Sequence, residues 1–532
     1  MSAPVINSVR RHPLSLYSLA DDTFRYATEK VITAGYSPIA RLAELAVVSA
    51  LKKIRIGRLR IVTPGKTYEF PETSAHDAST DLSVELRVVS DAFWVRLCTM
   101  SDLGFAEAYM YGDVECDDLI STFLIFIRNK ENLSGLNSRL SWLFSIPQRL
   151  TAYRFVNSLS NSRSNISAHY DMSDDMFKAF LSEDMTYSCA IYSDLDGDLK
   201  SNANITFTPS QLRRLSAYRP ASSSGSVSSD ASPASTPPAL SSSFPSDPST
   251  LATPPAQDNL HAAQLRKLTH LTNRARISRG HRVLEIGSGW GAMALHIVRT
   301  IPDTQVDTIT LSQNQHAHVT GLVAAEGLQD RVRVHLMDYR EMPEEWNGAF
   351  DRVVSVEMIE NVGEENLGEF WRMLDRVMKR KDAAGAVQSI TIPEARFDNY
   401  RKEVDFIQKW VIFPGGLLPT LTLLLSTMTA ATSGQLLVDS VSNIGPHYAR
   451  TLREWRREFE ARFDDTIACS LRREHPGVFE GAQGERELAV FRRKWIFYFC
   501  YCEIGFTTRM LGDHIITFTR EGNEDFGCDT YE

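Results

Sequence analysis

The 532-residue chain carries 57 Lys and Arg against 66 Asp and Glu, a net charge of −9, which argues against nucleic-acid binding and confines any anionic partner to a local basic patch. A chain of this length exceeds one ordinary domain and can bury large cores. Its seven cysteines at irregular positions, with no secretory apolar segment, point to reduced thiols in a cytoplasmic setting, and the C-x-C of Cys500 and Cys502 lacks the second pair that a zinc site needs.

Residues 1–40 give weak signals and read as an extension. From Arg41 to Leu51 apolar residues recur at helical spacing, and Ile54, Ile56, Leu59 and Ile61 then alternate with Arg55, Arg58 and Arg60 as in a half-buried strand. Together with Lys52 and Lys53 these arginines would form a basic face able to meet anionic lipid headgroups. Alternation at Val84-Glu85-Leu86-Arg87-Val88 and the apolar run Leu119 to Ile127 complete a small α/β or α+β domain over residues 41–160. Residues 161–219 bring Asn165 to Asp171 and Met185-Thr186-Tyr187-Ser188-Cys189, a density of aromatic and hydroxyl groups that reads as a lid. From 220 to 258 the chain is Ser, Pro, Ala and Thr without Lys or Arg, a composition that cannot offset its ordering entropy and reads as a disordered insert.

Order resumes with Leu265, Leu268 and Leu271 on a helix and reaches Val283-Leu284-Glu285-Ile286-Gly287-Ser288-Gly289-Trp290-Gly291. An apolar strand ending in an acid, then glycines at alternate positions, describes a strand, a tight turn and a helix start. The spacing is G-x-G-x-G where the dinucleotide fingerprint is G-x-G-x-x-G, and Glu285 suits a cofactor bearing an amino group in place of a pyrophosphate. S-adenosylmethionine is the cofactor this favours. Further strands at Val306 to Leu311, Val332 to Leu336 and Phe350 to Val356, separated by helices, give residues 259–532 a doubly wound parallel sheet. Ligands in that fold sit beyond the carboxyl ends of the strands. Thr310 to Gln315, Asp338-Tyr339 and Glu357 to Gly363 follow such ends and should converge. The run Leu417 to Ala431 contains Pro419 and is short of the roughly 20 apolar residues of a spanning helix, so it reads as a core helix.

Taken together, the ordered stretches Leu103-Gly104-Phe105, Glu107-Ala108-Tyr109, His169-Tyr170-Asp171, Met185 to Cys189, Val283 to Gly291 and Thr310-Leu311-Ser312 with Gln315 resemble the cyclopropane-fatty-acyl-phospholipid synthase family, which includes the mycolic acid cyclopropane synthases. The resemblance continues through Glu360-Asn361-Val362-Gly363, Phe413-Pro414-Gly415-Gly416, His447 to Leu452 and Tyr501-Cys502-Glu503. It implies a Rossmann-like methyltransferase sheet, S-adenosylmethionine as methyl donor, and the double bond of an unsaturated phospholipid acyl chain as acceptor. The implied product is a cyclopropane ring, formed through a carbocation that bound bicarbonate deprotonates.

Carried onto this chain, the resemblance assigns the bicarbonate to Glu360 and Tyr448 with the backbone of Cys189, and matches Gln388 to a bicarbonate-contacting His of the bacterial enzymes. It assigns the cofactor to Tyr187, Ser188, Glu285, Gly287, Gly289, Trp290 and Gly291, to Thr310, Leu311 and Gln315 near the ribose, and to Asp338 and Tyr339 near the adenine. Position alone would have made Asp307 the ribose acid. Cys502, once regarded as a nucleophile in this family, reads as a packed neutral thiol. The sequence leaves open methyl or methylene branching of the lipid, N-methylation of a small amine, and assembly as a homodimer. Peripheral membrane contact is expected from the basic face and from Leu417 to Leu425.

Overall fold

The computed structural model describes residues 37–72, 82–133, 174–201, 258–402, 405–411 and 416–527. The Ser/Pro-rich stretch up to residue 257, the His169-Tyr170-Asp171 segment and Phe413-Pro414-Gly415 lie outside them.

The first unit opens with helix α1, Ser37–Leu51, and strands β1, Arg58–Val62, β2, Thr67–Phe70, and β3, Ser83–Val88. Helix α2, Ala92–Tyr111, strand β4, Val114–Cys116, and helix α3, Leu119–Arg128, complete it around a four-stranded sheet of order β2-β1-β3-β4. The alternation in β1 and β3 buries Leu59, Ile61, Val84 and Leu86, as a one-sided sheet requires. Ile54 and Ile56, expected in the first strand, lie before it. The expected basic face is a mixed one. Arg60 stands opposite Glu85 in the parallel β1–β3 register and pairs with it at 3.0 Å, Arg87 pairs with Glu115 at 3.0 Å, and Lys52 with Glu72 at 2.9 Å. Cross-strand register places acids among these bases, which the sequence of either strand alone does not reveal.

The second unit runs from helix α4, Leu260–Arg274, through strand β5, Arg282–Ile286, helix α5, Ala292–Thr300, strand β6, Gln305–Thr310, helix α6, Gln313–Ala325, and strand β7, Val332–Leu336. Strand β8, Arg352–Val356, helix α7, Leu367–Val377, strand β9, Ala384–Thr391, helix α8, Leu421–Ala431, and strand β10, Leu436–Asn443, follow, and helices α9, Gly445–Ala461, and α10, Gly481–Thr507, lead to strand β11, Gly512–Arg520. The sheet order is β10-β11-β9-β8-β5-β6-β7, parallel from β9 to β7 and antiparallel where β11 joins β9 and β10. Helices cover both faces, so Val283, Leu284, Val353, Val354, Ala386 and Val387 are all buried, the continuous apolar pattern of a parallel sheet. This is the doubly wound sheet expected from the alternation of strands and helices.

Successive strands are added to one side as far as β7 and to the other side from β8, so the strand order reverses between the parallel neighbours β5 and β8 and opens a crevice at their carboxyl ends. Helix α8 is the core helix expected from its length. It starts at Thr420, whose hydroxyl accepts from Leu423 N, and buries Leu424 and Met428. No helix among the described residues is long and apolar enough to cross a membrane. The small unit docks on α10 through rings: Phe497 lies 5.2 Å from Phe123 and 6.3 Å from Phe105.

Candidate active site

Strand β5 delivers Glu285 to the crevice and the glycine turn follows it. Gly287 N and Ser288 N both donate to Ile309 O at 3.0 Å, which ties the turn to β6. Gly287 has φ +97°, and a Cβ there would stand 3.1 Å from Met358 Cγ. Gly289 has φ +49° and a Cβ there would meet nothing within 4 Å. The first glycine is therefore demanded by packing. The second faces open space, where the missing side chain leaves backbone accessible to a ligand. Gly291, at the start of α5, packs against Val319 and is not part of the cavity wall.

The cavity beyond the turn is lined by Tyr187, Ser188, Glu285, Gly287, Gly289, Trp290, Thr310, Leu311, Gln315, Asp338 and Tyr339, so it gathers the expected cofactor residues other than Gly291. Burial pushes the Glu285 carboxyl up to about 8. The Thr308 hydroxyl lies 2.6 Å from Glu285 Oε2 and 2.7 Å from Ser288 Oγ. Lys267, buried on α4, donates from Nζ to Ser188 Oγ at 2.8 Å, and its charge favours the ionised form of Glu285. Thr310 Oγ1 donates to Gln315 Oε1 at 2.8 Å, and Arg340 holds both oxygens of Asp338. The Tyr339 hydroxyl and Thr186 Oγ1 are buried at this wall without a hydrogen-bond partner, which suits a polar ligand, since buried polar groups rarely go unmet. Asp307 is elsewhere, bound to Arg282 at 3.0 Å and His335 at 2.9 Å.

At the inner end of the cavity stands a residue expected there only as the head of a converging strand-end segment. Glu357, the first residue after β8, lines the cavity and has φ +49°, a left-handed conformation that costs a non-glycine residue on the order of 1 kcal/mol or more and that accompanies functional constraint. Its Oε1 accepts from Cys189 N at 2.8 Å and Gln388 Nε2 at 2.8 Å, and its Oε2 accepts from Tyr448 OH at 2.6 Å.

This arrangement corrects the assignment of a bicarbonate site. Cys189 N, Tyr448 and Gln388 do meet, around an anion, but the anion is the chain's own carboxylate. The donors are engaged, so the residues present do not fit a free bicarbonate. Glu360 lies near this cluster without joining its hydrogen bonds: Oε1 accepts from Ile390 N on β9, Oε2 is buried without a donor, and burial, with the charge of Glu357, pushes its carboxyl up to about 8. Cys502 is half-buried on α10 and is absent from the cavity wall; burial raises its thiol, in keeping with a packed role. The available signal for Glu357 was its place at a strand end. Its side-chain partners are 31, 91 and 168 residues away, beyond the reach of a local motif.

Aromatic rings enclose this end of the cavity. Tyr448 stacks on Phe506 at 4.4 Å, Trp455 lies 5.1 Å from Tyr187 and 6.0 Å from Tyr448, and the Tyr187 and Tyr498 hydroxyls are 3.0 Å apart. This packing keeps the surroundings of Glu357 dry, and the Tyr187 ring on the cavity wall presents a π face that favours a cation.

Comparison with known proteins accords with this geometry. The chain is 32% identical over 432 residues to a tuberculostearic acid methyltransferase of Mycobacterium tuberculosis, covering 81% of this chain and 82% of that one. It is 28% identical over 380 residues to the cyclopropane-fatty-acyl-phospholipid synthase of Escherichia coli, covering 71% and 77%. Among solved structures, coclaurine N-methyltransferase, determined with N-methylheliamine and S-adenosylhomocysteine, superposes with a TM-score of 0.52 at 15% identity, covering 78% of this chain and 98% of that one, a likeness of fold alone. The family described as mycolic acid cyclopropane synthetase matches residues 157–215 and 250–480. With a glycine turn, a buried acid and a cavity of the matching kind, the chain belongs to the mycolic acid cyclopropane synthetase family of S-adenosylmethionine-dependent methyltransferases.

Proposed function

We propose that this protein methylates the double bond of an unsaturated acyl chain of a membrane phospholipid, with Glu357 as the base that takes a proton from the resulting carbocation. The observation that carries the reading is the Glu357 carboxylate, held by three donors at the dry inner end of the cofactor cavity. S-adenosylmethionine, when bound, supplies an electrophilic sulfonium methyl strong enough for an isolated alkene. Glu285 would meet its amino group, the backbone at Gly289 its close approach, and Gln315 with Asp338 its nucleoside.

The chain's own residues then do the rest. Tyr187, Trp455, Tyr448 and Phe506 keep water from the cation, and the Tyr187 ring face stabilises it. Cys189 N, Gln388 and Tyr448 fix the base in place and offset part of the rise in basicity that burial gives it. A base held at one place by its donors leaves the cation to undergo a 1,2-hydride shift before the methyl carbon loses a proton to Glu357, which leaves an exocyclic methylene. That branched product is the one we favour over the cyclopropane ring expected with bicarbonate. The 32% identical relative, named a methyltransferase, supports the choice.

Membrane contact at the acyl-bearing surface belongs to the same proposal, in a cytoplasmic, peripheral setting. Mass spectrometry of fatty acids from cells expressing the chain, supplied with methyl-deuterated methionine and oleoyl-rich lipid, tests it. One added carbon bearing two deuteriums, with an exocyclic olefin cleaved by ozone, is the expected result. A ring resistant to ozone would overturn the branched product. No label in any lipid, with the enzyme folded and cofactor-bound, would overturn the acyl acceptor in favour of a small amine.

A further inference from the structure

Behind Glu357 lies a second carboxyl group that the chemistry above does not use. Asp513, on β11 opposite Ile390 of β9, is fully buried. Its Oδ2 accepts from Gln388 Nε2 at 2.8 Å, the same nitrogen that donates to Glu357 Oε1 at 2.8 Å. Its Oδ1 is buried and meets no donor, while the Asp513 and Glu357 carboxyl groups stand within hydrogen-bonding reach of each other. An ionised carboxylate only accepts, so two of them face to face in a dry site repel; one proton between them turns the contact into a hydrogen bond.

We propose that Asp513 and Glu357 share one proton in the resting enzyme, carried on Asp513, so that Asp513 is a positioning residue that keeps Glu357 the ionised member of the pair and aims it at the cavity. This rests on the reading of Glu357 as the base. The groups facing the pair are Gln388 on β9, the amide and thiol of Cys189 in the lid, Tyr448 on α9, Glu360 in the turn after β8 and Lys267 on α4. Lys267 is the ammonium that faces both members of the pair, and it also faces Asp184 and Glu285, which leaves no countercharge for a second ionised acid behind Glu357. Burial and the Glu357 charge hold the Asp513 carboxyl well above the usual carboxylate range. In turnover the cation's C–H bond breaks toward Glu357, its electron pair forms the new π bond, and the pair then holds two protons. One must return to solvent before the next cycle.

The test compares Asp513→Ala with Asp513→Asn in the full-length chain, with cofactor binding measured alongside as a check on folding. Alanine removes the donor to Glu357, so kcat should fall by about tenfold or more and the acid limb of its pH profile should move to higher pH. Asparagine keeps both an acceptor for Gln388 and a donor for Glu357, as a protonated acid does, and should restore most of the rate and the position of the acid limb. A loss in Asp513→Asn of about 10² to 10⁴, the range for a missing base, would show Asp513 to be the ionised member and overturn the proposal. Infrared difference spectra of wild type against Asp513→Asn give a direct readout should the alanine variant not fold: a protonated-carboxyl carbonyl band that disappears with the substitution is expected, and its absence overturns the shared proton. The same spectra separate the two readings. If Glu357→Gln keeps normal turnover while the wild-type band is present, the base assignment fails and the pair stands; if turnover depends on Glu357 and no band exists, the pair fails and the base stands.

Discussion

At the mouth of the cavity the groups expected to hold the cofactor come from one continuous run, Glu285 and the glycine turn after β5, Thr310 to Gln315 after β6, and Asp338 with Tyr339 after β7. At its inner end, Cys189, Glu357, Gln388, Tyr448 and Asp513 come from five separated segments, tied by hydrogen bonds that span up to 168 residues. The first half is a local device, built on turn conformation and strand order. The second exists only once the lid, the strand ends and helix α9 have closed on one another, so its charge balance depends on the whole fold. Recognition of a cofactor can therefore be tested by changing one turn, and the chemistry by changing one carboxylate, with little overlap between the two.

The largest effect should come from the inner end. Glu357→Gln is expected to lower kcat by about 10² to 10⁴, the loss typical of a missing general base, while cofactor affinity measured by titration calorimetry stays within about threefold. A small deletion sharpens this: Glu357→Ala leaves Cys189 N, Tyr448 OH and Gln388 Nε2 around a vacated anion site, and added formate should recover part of the lost rate. Near-normal turnover in Glu357→Gln would remove the base from Glu357 altogether. At the mouth, Gly289→Val puts a β-branched side chain on a backbone at φ +49° and into the cavity. Cofactor binding and turnover should then fall together by about a hundredfold, while the melting temperature of the free protein falls by only the few degrees that left-handed backbone strain of about 1 to 3 kcal/mol imposes, since a Cβ there meets nothing. Loss of turnover with intact binding would mean the turn is not where the cofactor rests.

The same division explains what could be read from the sequence. Strand β7 and the glycine turn were legible because hydrophobic runs and positive-φ glycines leave local marks, and the doubly wound order follows from strands alternating with helices. Resemblance to a family grouped Cys189, Gln388 and Tyr448, which meet around Glu357, without showing what they hold. It named Glu360, three residues after Glu357, because a motif transfers positions and says nothing of which side chain turns inward. The left-handed backbone at Glu357, which decides this, has no signature in a glutamate. The basic face of the small unit is mixed for a related reason, since the acids that pair with Arg60 and Lys52 come from other segments of the chain.

Glu360 offers a smaller test of the same distinction. Its folded carboxyl is raised from about 4.5 to about 8, so the folded state favours its protonated form, and the stability this confers is present below the unfolded value and lost as pH rises through 8. Glu360→Gln mimics the neutral acid and keeps an acceptor for Ile390 N. Thermal melts should coincide with wild type only below about pH 4.5, rise progressively above it between pH 4.5 and 8 and level off beyond, with turnover retained within about tenfold. A loss as deep as that of Glu357→Gln would return the chemistry to Glu360.

The subtlest effect lies at Glu285, where binding and protonation are linked. The carboxyl sits at about 8 in the free protein because burial penalises its charge, and a cofactor ammonium beside it would favour the ionised form. Binding must then release a proton below that pH, so affinity should tighten with rising pH and level off as the group ionises on its own, by up to about tenfold per unit. Glu285→Gln keeps the Thr308 contact and cannot ionise. Its affinity should be weaker at pH 8.5 yet close to wild type near pH 6, and calorimetry in buffers of different ionisation enthalpy should show the wild-type proton release vanish in the variant. If wild type and Glu285→Gln bind the cofactor with one and the same pH dependence, the amino group is met elsewhere in the cavity, and the acid before the glycine turn serves only to pin Thr308 and Ser288.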